Sequence, residues 1–172
     1  MANAATDSQV FAINRTFNAP RERVWAAHAS AEALTQWWGP KGCTVRVIKL
    51  DFRPGGVFHY AMSFQPGAPE MFGRFIYREV LVPSRIVYVS SFSDAEGGIT
   101  RAPFPQLDGK FPLEVLNTMT FTEAGGKTTI DLRGGPINAT DDERRMFAGM
   151  HDSMRGGFSG TFDQLDQYLA KG

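Results

Sequence analysis

The longest regular pattern of apolar residues lies near the end of the chain, at residues 140–169. Apolar side chains recur there at steps of four, with one step of three, so that they share one face of an α-helix. These residues are Met146, Met150, Met154, Phe158, Phe162, Leu165 and Leu169. Thr140 and Glu143 have the spacing of a capping box at the helix start. The pattern therefore predicts one long amphipathic helix.

Four glycines interrupt this predicted helix, and each costs roughly 1 kcal/mol relative to alanine. They are Gly149, Gly156, Gly157 and Gly160. Two explanations stay open at this point. Either glycine allows a neighbouring element to approach the helix closely, or the Gly156-Gly157 pair forms a bend that lets the helix open over a cavity.

Alternation of apolar and polar residues predicts about seven strands before this helix. The predicted strands span residues 9–18, 43–52, 57–64, 71–82, 85–92, 113–123 and 127–133. A short helix is predicted at residues 21–29, and a second begins at a Ser30 cap and ends at Trp37-Trp38-Gly39-Pro40. An antiparallel sheet that curls around the long helix would bury the apolar faces of both. The fold class is therefore α+β.

Residues 93–112 do not alternate and are rich in glycine and proline. A loop of about 20 residues inside a compact domain is uncommon, and it tends to be functional when it is ordered. This loop also contains apolar side chains, namely Ile99, Phe104, Leu107 and Phe111. It is interpreted either as a lid over the sheet or as a loop packed on the outside.

Composition narrows the classes of function. The chain has 18 basic and 18 acidic residues and no basic run, which disfavours binding to nucleic acid or to an anionic membrane. No apolar run is long enough to cross a bilayer, so no membrane insertion is expected. Cys43 is the only cysteine, which excludes an intrachain disulfide. We expect a cytoplasmic protein with a disordered or frayed N-terminus at residues 1–8 and a single domain at residues 9–172.

Three stretches are similar to signature segments of the SRPBCC superfamily. They are Asn18-Ala19-Pro20 with Val24-Trp25, Trp37-Trp38-Gly39-Pro40, and Asp51-Phe52-Arg53-Pro54-Gly55-Gly56. More narrowly, the chain resembles a bacterial subgroup of the branch related to the C-terminal domain of activators of the 90-kDa heat-shock-protein ATPase. The resemblance implies a START-like helix-grip fold and covers about residues 9–169. Similar sequences usually have Trp where Phe158 stands, and His where Ala102 stands.

The candidate residues for chemistry are few. His28, His59 and His151 lack the spacing of metal ligands, and no nucleophile, phosphate or dinucleotide motif is present. No catalytic residue, metal or cofactor is therefore predicted, and His28 is expected on the surface of its helix. Arg15 is expected either in water at a strand end or in a polar patch of a cavity. A cyclase-like or hydrolase-like site would need dispersed residues to converge, namely Tyr60, Arg74, Tyr88, Asn117 and His151.

The strand and helix faces that point inward are rich in Phe and Met, which predicts an apolar ligand cavity between the sheet and the long helix. The predicted ligand-binding residues are Trp38, Phe58, Tyr60, Met62, Tyr88, Phe104, Asn117, Met119, Met154 and Phe158. Asn117 is bonded either to backbone or to the ligand. The leading hypothesis is binding of a small apolar or aromatic ligand by a monomer or homodimer. The alternatives are a chaperone-interaction module, as the resemblance implies, or an enzyme that uses the same cavity.

Overall fold

A computed structural model describes residues 10–107 and 109–171 of the chain. The predicted disordered N-terminus, residues 1–8, lies outside the described residues. The seven predicted strands are present and form one curved antiparallel sheet. Their bounds are β1 (Phe11–Phe17), β2 (Thr44–Leu50), β3 (Val57–Ser63), β4 (Met71–Leu81), β5 (Arg85–Ser93), β6 (Val115–Ala124) and β7 (Lys127–Pro136).

The order of strands across the sheet is β1-β7-β6-β5-β4-β3-β2. Strands β2 to β7 thus form a meander, and β1 closes the sheet by pairing with β7, with Ile13 opposite Leu132. Strand β7 runs three residues beyond its predicted end because Pro136 still pairs with Val115 of β6. This places β1, β6 and β7 side by side, where the C-terminal helices pack on them.

Four helices accompany the sheet, and their bounds are α1 (Arg21–Ala29), α2 (Ala31–Trp37), α3 (Asp141–Gly149) and α4 (His151–Ala170). The predicted caps are present. The Ser30 hydroxyl accepts a hydrogen bond from the Ala33 N–H at 3.1 Å. Thr140 and Glu143 form the full capping box, with the Thr140 N–H bonded to the Glu143 carboxylate at 2.8 Å.

The prediction of a single helix over residues 140–169 is wrong. Met150 ends α3 and precedes α4 with φ −99° and ψ 3°. Gly149 makes this a weak point, because glycine is a poor helix former and nothing packs within 4 Å of the position that its Cβ would occupy. The break lets Phe147 of α3 enter a small core cluster with Phe11 and Val115. Meanwhile Phe162 of α4 packs in the main core.

The four helix glycines do not share one explanation. Gly160 allows Pro40 to approach the helix closely, since a Cβ at Gly160 would lie 3.4 Å from the Cβ of Pro40. Nothing lies within 4 Å of a Cβ at Gly156 or Gly157, so close packing does not explain them. The alternative bend is also absent, because both residues lie inside the continuous helix α4.

Arg15 lies neither in open water nor in a polar cavity wall. Its guanidinium pairs with Asp163 and Asp166 of α4 and donates to the Ser159 carbonyl at 3.3 Å. Its side chain is 29% exposed. The sequence could not show this contact, because the carboxylates are about 150 residues away along the chain. The ion pairs tie β1 to α4.

The prediction that His28 lies on the surface is also wrong. The side chain is 7% exposed, and its ring contacts the rings of Trp37 and Phe121 edge-on at 4.8 and 5.2 Å. Both α2 and β6 pack against α1, so this short helix is buried on more than one face. Burial lowers the pKa of His28 to about 4, although the bond to the Val24 carbonyl acts in the opposite direction.

This pKa predicts a loss of stability in mild acid. The unfolded chain takes up a proton at His28 near pH 6.5, whereas the folded chain resists protonation until about pH 4. The free energy of unfolding should therefore fall as the pH drops from 6.5 towards 4. Urea titrations of the wild type and His28→Phe over this range should show a smaller fall in the variant. Parallel pH profiles would contradict the prediction.

Candidate functional site

An apolar cavity of about 340 Å³, called the main cavity here, lies between α4, the sheet and the long loop. The turn after α2 contributes Trp38, Gly39 and Pro40. Strand residues and their immediate neighbours contribute Met62, Phe64, Met71 and Phe92. The loop contributes Phe104, Leu107 and Phe111. Helix α4 and the preceding residue contribute Met150, Ser153, Met154, Gly157, Phe158 and Thr161. None of these residues is charged.

The apolar face predicted for the C-terminal helix has two tasks. Its first part, Met150, Met154 and Phe158, lines the main cavity. Its second part, which includes Phe162 and Leu165, is fully buried in the core. The four-residue spacing keeps both parts on one side of the helix. The sheet therefore closes on the end of the helix and leaves space near its start.

The loop at residues 93–112 combines both sequence-based interpretations. Its beginning is held on the outer face of the sheet, where Arg74 donates to the Gly97 carbonyl at 2.8 Å. Its later part forms a wall of the main cavity through Phe104 and Phe111. Phe104 contacts Phe92 at 5.9 Å between ring centroids, and Phe111 lies at the same distance from Phe92. The lid interpretation thus fits the later part of the loop.

An ion pair anchors this loop to α3. The guanidinium of Arg101 bonds to the Glu143 carboxylate and also donates to the Phe111 carbonyl at 3.2 Å. Burial alone would raise the pKa of Glu143. Hydrogen bonds from Arg101 and Thr140, together with the positive charge of Arg101, outweigh burial and hold that pKa below its usual value of 4.5. The carboxylate therefore caps α3 and fastens the loop at the same time.

Removing this anchor should loosen the loop. We expect Arg101→Ala to lower the free energy of unfolding by about 1 kcal/mol and to speed amide exchange in the loop, because Glu143 loses its charged partner. The difference from wild type should shrink below pH 4.5, as Glu143 is protonated and its contribution is lost. Arg85→Ala, which breaks the exposed pair with Glu79, is the control and should change little. Equal exchange rates in the loop of wild type and Arg101→Ala would refute the anchor.

The ten predicted ligand-binding residues fall into three groups. Trp38, Met62, Phe104, Met154 and Phe158 line the main cavity. Phe58, Tyr88 and Met119 line a separate space of about 20 Å³, the inner cavity, to which Trp38 also contributes. Tyr60 and Asn117 line neither. The role of all ten as ligand contacts stays a prediction.

Asn117 and Tyr60 each lie against a glycine on the neighbouring strand, in space that a larger residue there would fill. The Asn117 amide donates to the Val115 carbonyl and to the Ser90 hydroxyl, both at 3.0 Å, so the bonding to backbone is the alternative that the structure supports. Its oxygen lies 2.4 Å from where a Cβ at Gly134 would stand. The Tyr60 ring likewise occupies the space that a Cβ at Gly73 would take. Burial raises the pKa of Tyr60 to about 12, although its contact with the Trp38 indole lowers that pKa.

Several cavity residues were missed by sequence reasoning. Those with large apolar side chains are Phe64, Met71, Phe92, Leu107, Phe111 and Met150. A signal existed for four of them, because Phe64 and Met150 lie on predicted inward faces and Leu107 and Phe111 are apolar loop residues. Met71 and Phe92 stand at strand ends, where alternation does not tell a core position from a cavity wall.

The dispersed polar residues proposed for a reaction do not converge. Arg74 faces the outer side of the sheet, opposite the cavities. His151 packs between the rings of Phe11 and Phe147 at 5.7 and 5.3 Å, away from the main cavity. Within residues 10–107 and 109–171, no group of three or more His, Cys, Asp or Glu side chains could hold a metal ion. The same residues contain no helix that is long and apolar enough to span a membrane.

Comparison with known proteins identifies the family. Residues 18–170 match the family described as Activator of Hsp90 ATPase homolog 1-like protein. The chain belongs to this family. The family match confirms the resemblance seen in the sequence and spans both cavities and the loop. No curated protein matches the chain.

Several solved structures share the fold of this chain. Protein Ms6760 from Mycobacterium smegmatis is 24% identical with a TM-score of 0.75, and the match covers 98% of this chain and 95% of that one. A protein from Arthrobacter aurescens is 20% identical with a TM-score of 0.78, covering 100% and 92%. The AHSA1 protein from Silicibacter pomeroyi is 19% identical with a TM-score of 0.69, covering 94% and 97%. At these identities the likeness establishes the helix-grip fold alone.

Proposed function

We propose that this protein binds a small, uncharged, mainly aromatic molecule in the main cavity. The observation that carries the proposal is the lining, which combines Met and aromatic side chains and includes no charged residue. A volume of about 340 Å³ falls within the range of ligand sites, roughly 300–1,000 Å³. Some members of the SRPBCC fold bind hydrophobic ligands, which supports the same conclusion.

The chemistry of the lining favours an uncharged ligand. Burying an ion without a partner is costly, and the lining offers no counter-charge. The two hydroxyl groups in the lining, on Ser153 and Thr161, are also poorly placed to bond a polar ligand. The Thr161 hydroxyl already donates to the Gly157 carbonyl at 3.0 Å, and Ser153 is exposed. Met62, Met71, Met150 and Met154 favour rings, because thioether sulfur makes attractive contacts with aromatic edges.

Two fluorescent probes with one aromatic skeleton test this proposal. N-phenyl-1-naphthylamine is uncharged, and 8-anilinonaphthalene-1-sulfonate adds a sulfonate. We expect the uncharged probe to bind at least tenfold more tightly. Equal affinities, or no saturable binding of the uncharged probe, would count against the proposal. Native mass spectrometry of the freshly purified protein would then identify the class of any molecule that is released on unfolding.

The chaperone alternative stays a prediction and has its own test. The family description names an ATPase activator, and such activity requires contact with a chaperone. A pull-down with the middle domain of the 90-kDa chaperone, with and without saturating uncharged probe, would detect this contact. Recovery of nothing in either condition would end this alternative, and it would leave the cavity proposal intact.

A further inference from the structure

A further pocket, called the side pocket here, lies on the inner face of the sheet beside β5. Its volume is about 110 Å³, and it is lined by Tyr60, Ser90, Ser91, Phe92, Phe111 and Val115. Phe92 and Phe111 also line the main cavity, whereas Tyr60 and Ser90 line only the side pocket. The side pocket therefore has hydroxyl groups that the main cavity lacks.

A glycine on β4 brings these two hydroxyl groups towards each other. In the strand register Gly73 lies between Tyr60 of β3 and Phe92 of β5. Because Gly73 has no side chain, the Tyr60 ring lies across β4, with its oxygen 2.5 Å from where a Cβ at Gly73 would stand. The phenol thus reaches towards β5, where Ser90 shares the face of Phe92.

The Ser90 hydroxyl has a proton to donate. Its oxygen accepts a hydrogen bond from the Asn117 amide nitrogen at 3.0 Å. That nitrogen also donates to the Val115 carbonyl, which only accepts hydrogen bonds, so the orientation of the amide group is fixed. Since the Ser90 oxygen acts as the acceptor in this pair, its own proton remains for a third group.

The Tyr60 hydroxyl is in the same position. The Trp38 N–H is buried without a partner at full hydrogen-bond geometry, but it lies close enough to lower the pKa of Tyr60. An indole N–H only donates, so the Tyr60 oxygen presents a lone pair to it and the phenol proton points elsewhere. Burial still raises the pKa of Tyr60 to about 12, so the phenol keeps this proton at neutral pH.

Two hydroxyl groups that donate into one pocket suit an atom that accepts two hydrogen bonds. A carbonyl oxygen has two lone pairs and is such an atom. None of the six lining residues is charged, which disfavours a carboxylate. At roughly 30 Å³ for a water-sized group, the pocket has room for about four non-hydrogen atoms.

We propose that the side pocket binds the carbonyl group of a small uncharged ketone, whose oxygen accepts hydrogen bonds from the Tyr60 and Ser90 hydroxyls. This inference goes beyond the proposed function and does not depend on a ligand in the main cavity. Water offers oxygen lone pairs as well, so the experiment must distinguish a bound ketone from solvent.

Acetone and 2-methylpropene are a matched pair of probes, because a CH₂ group in the second replaces the carbonyl oxygen of the first. In ¹⁵N-labelled wild type, acetone should shift the backbone amide signals of Ser90 and Val115 in a saturable way. The Kd should be in the millimolar range, because four atoms supply little binding energy. 2-Methylpropene should leave both signals in place. Equal shifts with both compounds would overturn the recognition of a carbonyl, and no saturable shift with acetone would assign the pocket to water.

Variants that each lack one hydroxyl test the two donors. Tyr60→Phe and Ser90→Ala should each weaken acetone binding about fivefold, the loss expected for one hydrogen bond between uncharged groups. Ser93→Ala removes a buried hydroxyl from the outer face of the same strand, and Tyr77→Phe removes a phenol from the inner cavity. Both controls should bind acetone as the wild type does. The same affinity in all four variants would overturn the proposal.

A variant of the main cavity separates this site from the one proposed above. Gly157→Leu narrows the main cavity, because Gly157 lines it and has free space around its missing Cβ. This variant should keep the wild-type affinity for acetone. A loss of affinity would place acetone in the main cavity and overturn the side pocket, while the binding of N-phenyl-1-naphthylamine would still decide the proposed function.

A measurement on the unaltered protein covers the case in which the variants do not fold. The carbonyl carbon of ¹³C-labelled acetone resonates further downfield when its oxygen accepts hydrogen bonds. In the bound state it should stay at or downfield of its position in water. A bound signal that moves upfield, as in an apolar solvent, would overturn the proposal.

Discussion

Replacing Gly157 by leucine should abolish ligand binding without destabilising the protein. Gly157 lines the main cavity, and nothing lies within 4 Å of the position that its Cβ would occupy. A leucine side chain at this position therefore extends into the space proposed for the ligand. We expect the affinity for N-phenyl-1-naphthylamine to fall more than tenfold, as fluorescence titration would show.

Stability should change in the opposite direction to binding. Leucine is a much better helix former than glycine, and the difference is up to about 1 kcal/mol in a helix interior. Gly157 lies within α4, so urea denaturation of Gly157→Leu should show equal or higher stability. Loss of binding in a more stable protein cannot be attributed to misfolding.

The neighbouring glycine provides a matched control. Gly156 has the same free space around its missing Cβ and lies in the same helix, but it is exposed and does not line the cavity. Gly156→Leu should therefore gain similar stability and keep its affinity for the probe. If both variants bind as the wild type does, the main cavity is not the binding site.

Replacing Phe147 by alanine should cause a large loss of stability. Phe147 is 0% exposed and belongs to the cluster with Phe11 and Val115. Its ring also lies 5.9 Å from that of Phe111 and 5.3 Å from that of His151. Truncation of a buried phenylalanine costs roughly 3–5 kcal/mol, because the cavity that it leaves fills poorly. Urea or thermal unfolding would measure this loss.

Phe104→Ala is the comparison for this prediction. Phe104 is also aromatic, but it is only half-buried, lies on the loop and lines the main cavity. We expect it to cost about 1 kcal/mol or less of stability and to weaken probe binding instead. Equal destabilisation by both variants would mean that the cluster of Phe147 with Phe11 and Val115 does not contribute the stability expected of it.

The sheet was predictable because its signal is local. Each strand shows its inner face through alternation, and turns with glycine or proline separate the strands. The capping box at Thr140 and Glu143 and the cap at Ser30 were predictable for the same reason, since each depends on residues three apart. These features need no knowledge of distant neighbours.

The helix break and the position of His28 were not predictable in this way. The periodicity of residues 140–169 continues through Met150, so nothing local signals that Phe147 packs with Phe11 from the opposite end of the chain. His28 is buried because β6, about 90 residues later, packs against its helix. The salt bridges of Arg15 likewise depend on partners on α4.

For the candidate site, the sequence indicated the chemistry and the tertiary structure decided the location. The excess of Phe and Met on inward faces already predicted an apolar cavity. Alternation tells which face a residue occupies, but not how far that face stands from the helix opposite. Phe58 and Met62 share one face of β3, yet they line different cavities, and Trp38 contributes to both. Only the packing of distant elements sets the distance between a sheet face and the helix opposite. That packing leaves a gap beside the first half of α4 and closes the core against the second half.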